Sequence, residues 1–599
     1  YVTLEQMKRL EGEVLNALRE FGEAQQILFE VDPHQFLGIE VNPRAAAIAD
    51  LVLWIGYLQW HFRTRGHAAP AEPIIKNYKN IECRDAVLAW DRKEPVLDKD
   101  LKPVTRWDGR TMKKHPVTGE DVPDESARTL VERYINPRKA EWPKAEYVVG
   151  NPPFIGNKRM VLNLGHGYVD ALRRAHDDVS EAADFVMYWW DHAAALIRSG
   201  AVRRSGLITT NSITQTFNRG VVRKHLDGEN GVALVFAVPD HPWVESSDGA
   251  AVRISMTVIA EKIRHVQPLL VTVTSETDSD DPERDGTLLT LSVSKCAQIN
   301  PDLTSGCNVT DCLTLRSNLG LSNQGVTPLG EGFRLTRDEL RSLGYVPGKL
   351  PPVIKRYSIG RDLVRSAEER FIIDLFGIDQ HDAQRRYPDL MQIVTDRVKP
   401  ERDQKNRDAY REKWWVFAEP RANLRPAISS VPWYIATCRT AKHRVFVRLE
   451  SDILPDAKIV AIGLSDFYCL GVLSSRLHVA WAMLTGGWLG VGNDSNYNHS
   501  DCFAKFPFPA CDAAQQTRIR EIGEQLDAHR KRQQGLHPKL TLTDMYNVLE
   551  KLRAGEELTA KEKVVHEQGL VSVLRQIHDD LDAAVFAAYG WPVTLSDDE

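Results

Sequence analysis

Asn151-Pro152-Pro153-Phe154 is the segment of this 599-residue chain whose residue types fit together for chemistry. The Asn151 side-chain oxygen and the Pro152 backbone carbonyl are two acceptors set close together. Neither proline has an N–H to compete, and each fixes φ, so the carbonyls are held stiffly. Two acceptors that take both N–H bonds of an exocyclic amine draw it toward tetrahedral geometry and localise its lone pair. A nucleobase amine needs this before it can act as a nucleophile. Phe154 adds a flat face for a base rotated out of its duplex. Asn-Pro-Pro is also a good turn sequence after any strand, so the surroundings must decide.

Placing those residues requires a framework. Glu146-Tyr147-Val148-Val149-Gly150 reads as a strand running straight into the tetrapeptide, and in an open parallel sheet ligands bind outside the carboxyl ends of strands. Phe36–Glu40 and Asn80–Asp85 read as two further short strands, each ending in an acid. Between them Asn42-Pro43 opens an Ala-rich helix over 44–62, with proline near the start, where a missing N–H costs little. Apolar spacing predicts helices over 4–28 and 181–199. More strands are predicted over Gly206–Thr210, Val232–Val238 and Ala251–Ala260. This alternation predicts an α/β core with a doubly wound, mostly parallel sheet. The Pro- and Lys-rich stretch 92–143 reads as an insertion or long loop, and Ser275–Gly286 as an acidic surface excursion. Residues 512–590 read as mostly helical.

Glu40 at a strand end can take both ribose hydroxyls of a nucleoside cofactor, and Asp85 can accept from an adenine amine. Asp184, opening the 181–199 helix, is a further candidate; the alternative is an ordinary acid favoured by the helix dipole. Glu40, Asp85 and Asn151 at three strand ends, in this order, weigh more than any one of them singly.

The order Gly38-Ile39-Glu40, Asp85, Asn151-Pro152-Pro153-Phe154, then Gly206-Leu207-Ile208-Thr209-Thr210-Asn211-Ser212 resembles the class I S-adenosylmethionine-dependent DNA amino-methyltransferases. In particular it resembles the MmeI-like family associated with restriction–modification and phage defence. Trp414-Trp415, the segments 470–476 and 490–494, Tyr497-Asn498 and Phe506-Pro507-Phe508-Pro509 are similar to that family's target-recognition region, so the likeness spans nearly the whole chain. It implies methyl transfer from S-adenosylmethionine to the N6 amine of adenine in double-stranded DNA; similar tetrads also serve the cytosine N4 amine. By position Asn151, Pro152, Pro153 and Phe154 carry the catalytic role, and Glu40, Asp85 and Asp184 the cofactor role. A linked or separate restriction nuclease is implied as a partner, though no Pro-Asp…Glu-x-Lys metal site is evident in this sequence.

The family's Gly-rich cofactor loop leads into Tyr-Val-Thr-Leu, and this chain begins at Tyr1-Val2-Thr3-Leu4. The expectation is a Rossmann-like core without its first strand, which binds S-adenosylmethionine weakly or not at all. Calorimetry on residues 1–599 tests this, and tight binding overturns it. Gly486–Gly492 looks like a second glycine loop but lacks a strand–turn–helix unit with an acid at the right distance, so it reads as a turn or a DNA approach point.

The formal net charge is −6, from 76 Lys and Arg against 82 Asp and Glu. Residues 351–450, however, hold 20 basic and 14 acidic residues, which is +6 and leaves −12 for the rest. Basic side chains neutralise phosphates, and arginine reads guanine edges. Arg421, Arg425, Lys442 and Arg444, interleaved with Trp414, Trp415, Phe417 and Trp433, are the DNA-contact candidates, weighed against surface or structural pairing. With 43% hydrophobic and 26% charged residues, disordered and fibrous classes are excluded. No apolar run reaches the roughly 20 residues that cross a bilayer. Eight cysteines form no CxxC pair, which predicts reduced thiols, a cytoplasmic location and no metal site.

The expected domains are a methyltransferase core over 1–265, a connecting segment over 266–330, an α+β target-recognition domain over 331–510 and a helical region over 511–599. Two rival classes stay open: a non-catalytic DNA-binding or specificity subunit, and a methyltransferase acting on RNA or protein amides.

Overall fold

Val148 and Val149 suit a pleated strand, and Tyr147–Gly150 pairs in parallel with Arg204–Thr210, Gly150 lying opposite Leu207. The computed structural model describes residues 1–20, 31–65, 80–108, 111–114, 121–124, 126–228, 231–243, 252–262, 267–278, 287–309, 312–346, 348–365, 368–403, 408–489 and 494–596. They form two units, Tyr1–Cys307 and Asn308–Glu599.

In the first unit six strands run in the order Tyr147–Gly150, Arg204–Thr210, Arg253–Glu261, Val232–Pro242, Leu269–Asp278, Thr287–Lys295. Two of the five pairings are parallel and three antiparallel. The class is α/β, but the expected mostly parallel sheet is a mixed one. Arg253–Glu261 enters between Arg204–Thr210 and Val232–Pro242 and runs against both. Apolar alternation reports which strand face is buried, not which way the strand runs.

Gly38–Glu40 and Ile81–Cys83 pair in parallel with each other, Glu40 opposite Cys83, in a separate two-stranded sheet. The acids at 40 and 85 and Asn151 therefore do not end strands of one described sheet. The helix Pro43–Arg65 follows Glu40; Ile48, Leu51, Val52 and Ile55 on it, and Tyr147 and Val149 on the sheet edge, are exposed. The first helix is Val2–Glu20; residues 21–28 of the helix expected over 4–28 lie outside the described residues.

The stretch 92–143, expected as an insertion or long loop, holds most of a nested antiparallel ladder. Leu88–Ala89 pairs with Arg138–Lys139, Arg92–Pro95 with Glu132–Ile135, Thr105–Trp107 with Arg128–Leu130, and Met112–Lys114 with Asp121–Pro123. Its base is anchored by Tyr134, whose ring meets Trp90 at 5.0 Å and Tyr168 at 5.9 Å. Ser275–Asp278 end a strand that pairs with Thr287–Lys295, and Ser275 and Glu276 on it are exposed; 279–286 lie outside the described residues. This hairpin carries the sheet past the expected core boundary at 265.

Under the sheet, the helix Met187–Arg198 brings Met187, Tyr188, Trp190 and Ala194 into one core with Leu207, Leu234 and Ile259. Asp191 on that helix is 1% exposed and meets Lys224 and His225, each at 2.7 Å. Burial alone pushes its carboxyl up; the hydrogen bonds and charges of His225 and Lys224 outweigh this and hold it well below the usual carboxylate range.

The second unit holds two four-stranded sheets. One orders Ser322–Gln324, Ile459–Ile462, Trp433–Cys438 and Phe446–Glu450; the other orders Arg334–Leu335, Phe371–Ile373, Ile354–Ser358 and Ile453–Pro455. The helices Ala513–Leu536 and Val571–Tyr589 share a core with residues of the first of these sheets, Ile435, Phe446 and Ile462, and with Leu470. The boundary expected at 510/511 thus cuts through one core. All eight cysteines are unpaired. Among the described residues no single helix is long and apolar enough to cross a membrane; Phe467–Ser474 with Arg476–Thr485 passes on length and composition only as a pair bent by 64°.

The helix Phe467–Ser474 lies tight against Ala513–Leu536, because glycines meet there. A Cβ on Gly523 would stand 2.3 Å from the Phe467 carbonyl oxygen and 3.2 Å from the Gly471 nitrogen. Alanine at 523 gains roughly 1 kcal/mol in helix propensity, yet it must push the two backbones apart. Gly523→Ala is therefore expected to destabilise the second unit by about 1–3 kcal/mol in urea denaturation; a more stable variant would refute this packing.

Candidate active site

Gly150 ends its strand, and the next six residues have no regular structure before the helix Asn157–Leu164 begins. Pro152 is buried, Asn151 and Pro153 are exposed, and Phe154 is half-buried. No described residue hydrogen-bonds the Asn151 side chain, which leaves its oxygen open as an acceptor. The loop folds on itself, the Ile155 N–H donating to the Pro153 carbonyl at 3.1 Å. It is tied outward by the Phe185 N–H on the Ile155 carbonyl at 2.9 Å.

Asp184 completes that tie. It lies before the helix Met187–Arg198 rather than opening it. Its Oδ1 accepts the Asn157 N–H at 2.8 Å, and its Oδ2 accepts the Ser212 hydroxyl at 2.7 Å and the Asn218 amide at 2.8 Å. Both oxygens of this candidate thus also hold the chain itself.

Asp85 is similarly engaged. Its Oδ1 accepts the Val87 and Leu88 N–H groups at 2.8 and 2.9 Å, and its Oδ2 accepts the Tyr168 hydroxyl at 2.8 Å. Burial, then the charge of Asp85, pushes the Tyr168 phenol far above its ordinary value, so it stays a donor. The carboxylate expected to face a cofactor amine pins the start of the ladder to the helix His166–Ala175. Glu40 is different. One oxygen caps the Asn42 N–H at 2.8 Å, and the half-exposed carboxylate keeps its other oxygen.

The strand beside the Asn151 loop ends in a second cluster. Asn211 donates to Asp240 at 3.2 Å, and Arg253 bridges Asp240 at 2.6 Å and Glu276 at 2.7 Å. The hydrogen bond from Arg253 holds the Glu276 carboxyl below its ordinary value. Sequence reasoning missed Ser212, Asn218, Tyr168 and Arg253. Only Ser212 carried a local signal, in Thr210-Asn211-Ser212 after a strand.

In the second unit the four basic candidates separate. Arg444 is 7% exposed and donates to the Cys438 carbonyl and, at 2.7 Å, to the Ser495 carbonyl; burial pushes its pKa down. Arg425 forks onto the buried Asp374 and lies over the Phe376 ring. Both are corrected from DNA contacts to internal supports. Arg421 is half-buried, with φ at 52°, and donates to Gln324 at 3.3 Å. Lys442 is exposed and reaches Asn547 at 2.8 Å and Glu550 at 3.4 Å. Trp414, Phe417 and Trp433 are core residues, not stacking platforms. Gly487–Leu489 pairs with Asp494–Asn496 as a hairpin; 490–493 lie outside the described residues. Among the described residues no group of three His, Cys, Asp or Glu could hold a metal ion.

Residues 1–270 match the model of the MmeI DNA-methyltransferase domain, and residues 317–510 match the model of the MmeI target recognition domain. Fold and site thus define a DNA methyltransferase domain joined to a target recognition domain. The chain belongs to the MmeI family of DNA methyltransferases. DNA methyltransferase A of Bacillus subtilis (strain 168) is 22% identical over 563 residues, 91% of this chain and 54% of that relative, so the chain spans about half the length of the curated relative it matches. The solved structure of the Type IIL restriction-modification enzyme MmeI in complex with DNA matches with a TM-score of 0.67 at 19% identity, over 100% of this chain and 69% of that one. At that identity the match speaks for a shared fold.

Arg444→Met is expected to destabilise the second unit by about 1–3 kcal/mol, because the Cys438 and Ser495 carbonyls lose a buried donor. It should leave the salt dependence of any DNA affinity unchanged, whereas losing a phosphate contact lowers that slope by roughly one. Urea melts and salt titrations check both. A reduced slope at unchanged stability would return Arg444 to the DNA.

Proposed function

We propose that the protein methylates the N6 amine of an adenine rotated out of double-stranded DNA, with S-adenosylmethionine as donor, at sites chosen through its second unit, in restriction–modification or phage defence. The observation that carries this is the open Asn151 oxygen on a Pro-Pro loop at the end of a strand, in a chain of the MmeI family.

The Asn151 oxygen and the Pro152 carbonyl accept the two N–H bonds of the amine. This localises its lone pair, and the prolines hold the acceptors in place without competing donors. Phe154, half-buried and therefore partly fixed, presents a stacking face. Among the acids, Glu40 fits a cofactor, since a strand-end carboxylate with one oxygen uncapped suits a ribose diol; Asp85 and Asp184 each already take three donors from the chain and keep less acceptor capacity. S-adenosylmethionine, when bound, supplies an electrophilic methyl carbon. Lys442 and Arg421 remain the basic candidates for DNA in the second unit.

The test is base-resolved methylation sequencing of DNA from cells expressing the full-length protein or its Asn151→Ala variant. N6-methyladenine at a fixed motif is expected with the wild type and a loss of at least about 100-fold with Asn151→Ala, the scale of removing an oriented acceptor. N4-methylcytosine in its place overturns the choice of base, and identical modification by both proteins overturns the catalytic assignment. Phe154→Ala should lower turnover more than cofactor affinity.

A further inference from the structure

We infer that Asn218, acting through Asp184 and Ser212, is a positioning residue that aims the Asn151–Phe154 loop; this rests on the methyl-transfer reading above.

The loop has little to hold it at its far end. Proline supplies stiffness at 152 and 153, but from Phe154 onward the backbone is ordinary, and Gly156 has no side chain to pack. Apart from Arg173, which donates to the Asn157 side-chain oxygen at 3.3 Å, two hydrogen bonds from backbone N–H groups fix it there. One is from the Phe185 N–H to the Ile155 carbonyl at 2.9 Å, and the other is from the Asn157 N–H to Asp184 Oδ1 at 2.8 Å. Both lead to residues 184–185, so the aim of the loop depends on what holds that turn.

Asn218 holds it from both sides. Its Oδ1 accepts the Asp184 N–H at 2.8 Å while its Nδ2 donates to Asp184 Oδ2 at 2.8 Å, a reciprocal pair that grips backbone and side chain together. The same Nδ2 reaches the Ser212 carbonyl at 2.9 Å. The Ser212 hydroxyl donates to Asp184 Oδ2 at 2.7 Å and lies 2.6 Å from the Thr210 hydroxyl. Asn218 is 4% exposed, and its amide is saturated by these partners. The end of the strand Arg204–Thr210, the turn Asn211–Thr214 and the first turn of the helix Thr216–Leu226 thus converge on one carboxylate. That carboxylate holds a peptide N–H three residues beyond Phe154. An ionised acceptor taking several donors is strong and directional. Acceptors that must meet both bonds of an amine lose on the order of 100-fold in rate for a displacement near 1 Å.

Among the described residues the Asn218 side chain bonds only Asp184 and Ser212. Asn218→Ala removes the grip. Steady-state methylation by the full-length protein on a substrate DNA, with melting curves for each variant, reads the outcome. Asn218→Ala should lower kcat about 10- to 100-fold with the KM for DNA within about twofold. Unchanged kcat in folded Asn218→Ala overturns the inference, as does a loss that only tracks the unfolded fraction, or a KM for DNA that rises as far as kcat falls. If Asn218→Ala does not fold, Ser212→Ala carries the test, with a smaller fall in kcat expected and no fall overturning it. Asn151→Ala run alongside separates the two readings: if it stays active, the methyl-transfer reading fails; if it is inactive while Asn218→Ala is fully active, only the positioning role fails.

Discussion

The parallel pairing of Tyr147–Gly150 with Arg204–Thr210 is the constraint on which the site depends. With Gly150 opposite Leu207, both chains leave the sheet at the same end. The Asn151 loop and the Asn211 turn then lie close enough for Asp184, Ser212 and Asn218 to bind them into one polar cluster. A register slip of one residue would turn every side chain of the short strand to its other face. The stiffness of the loop is local, in its two prolines, but its placement comes from a sheet whose partner strand lies more than fifty residues on.

Buried charge is used in the same way in both units. Asp191 gathers Lys224 and His225 under the sheet of the first unit. In the second, Arg425 grips Asp374, Arg444 collects two carbonyls, and Arg530 donates to the Phe446 carbonyl at 2.9 Å. A guanidinium is planar, always charged and rich in donors, so it can satisfy carbonyls that irregular backbone would otherwise strand in the core. The positive balance of residues 351–450 is therefore partly engaged inside the fold, and only part of it lies at the surface.

What was legible in the sequence was what short stretches encode. Val148-Val149 before Asn-Pro-Pro marks a strand meeting a stiff loop, and Pro43 after Asn42 marks a helix start. Strand direction was not legible, because Arg253–Glu261 shows the same alternation whichever way it runs. The paired ladder within 92–143 escaped notice because its strands are two to four residues long and mostly exposed on both faces, so they carry no alternation. The internal hold of Asp184 was not legible because its partners, Asn157 and Asn218, lie 27 and 34 residues away. For Arg444 and Arg425 the sequence left DNA contact and structural pairing both open, because the pairing of an arginine is decided by tertiary packing.

The ladder enters the core at Leu88–Ala89 and leaves it at Arg138–Lys139, and these two pairs are hydrogen-bonded to each other. Entrance and exit are therefore neighbours, whatever lies between them. Rungs can be added or removed in register without moving Asp85, Tyr168 or the strand Tyr147–Gly150. Such a segment can change its length and surface over generations at almost no cost to the core beneath it, which makes it the part of this unit most open to evolutionary tinkering.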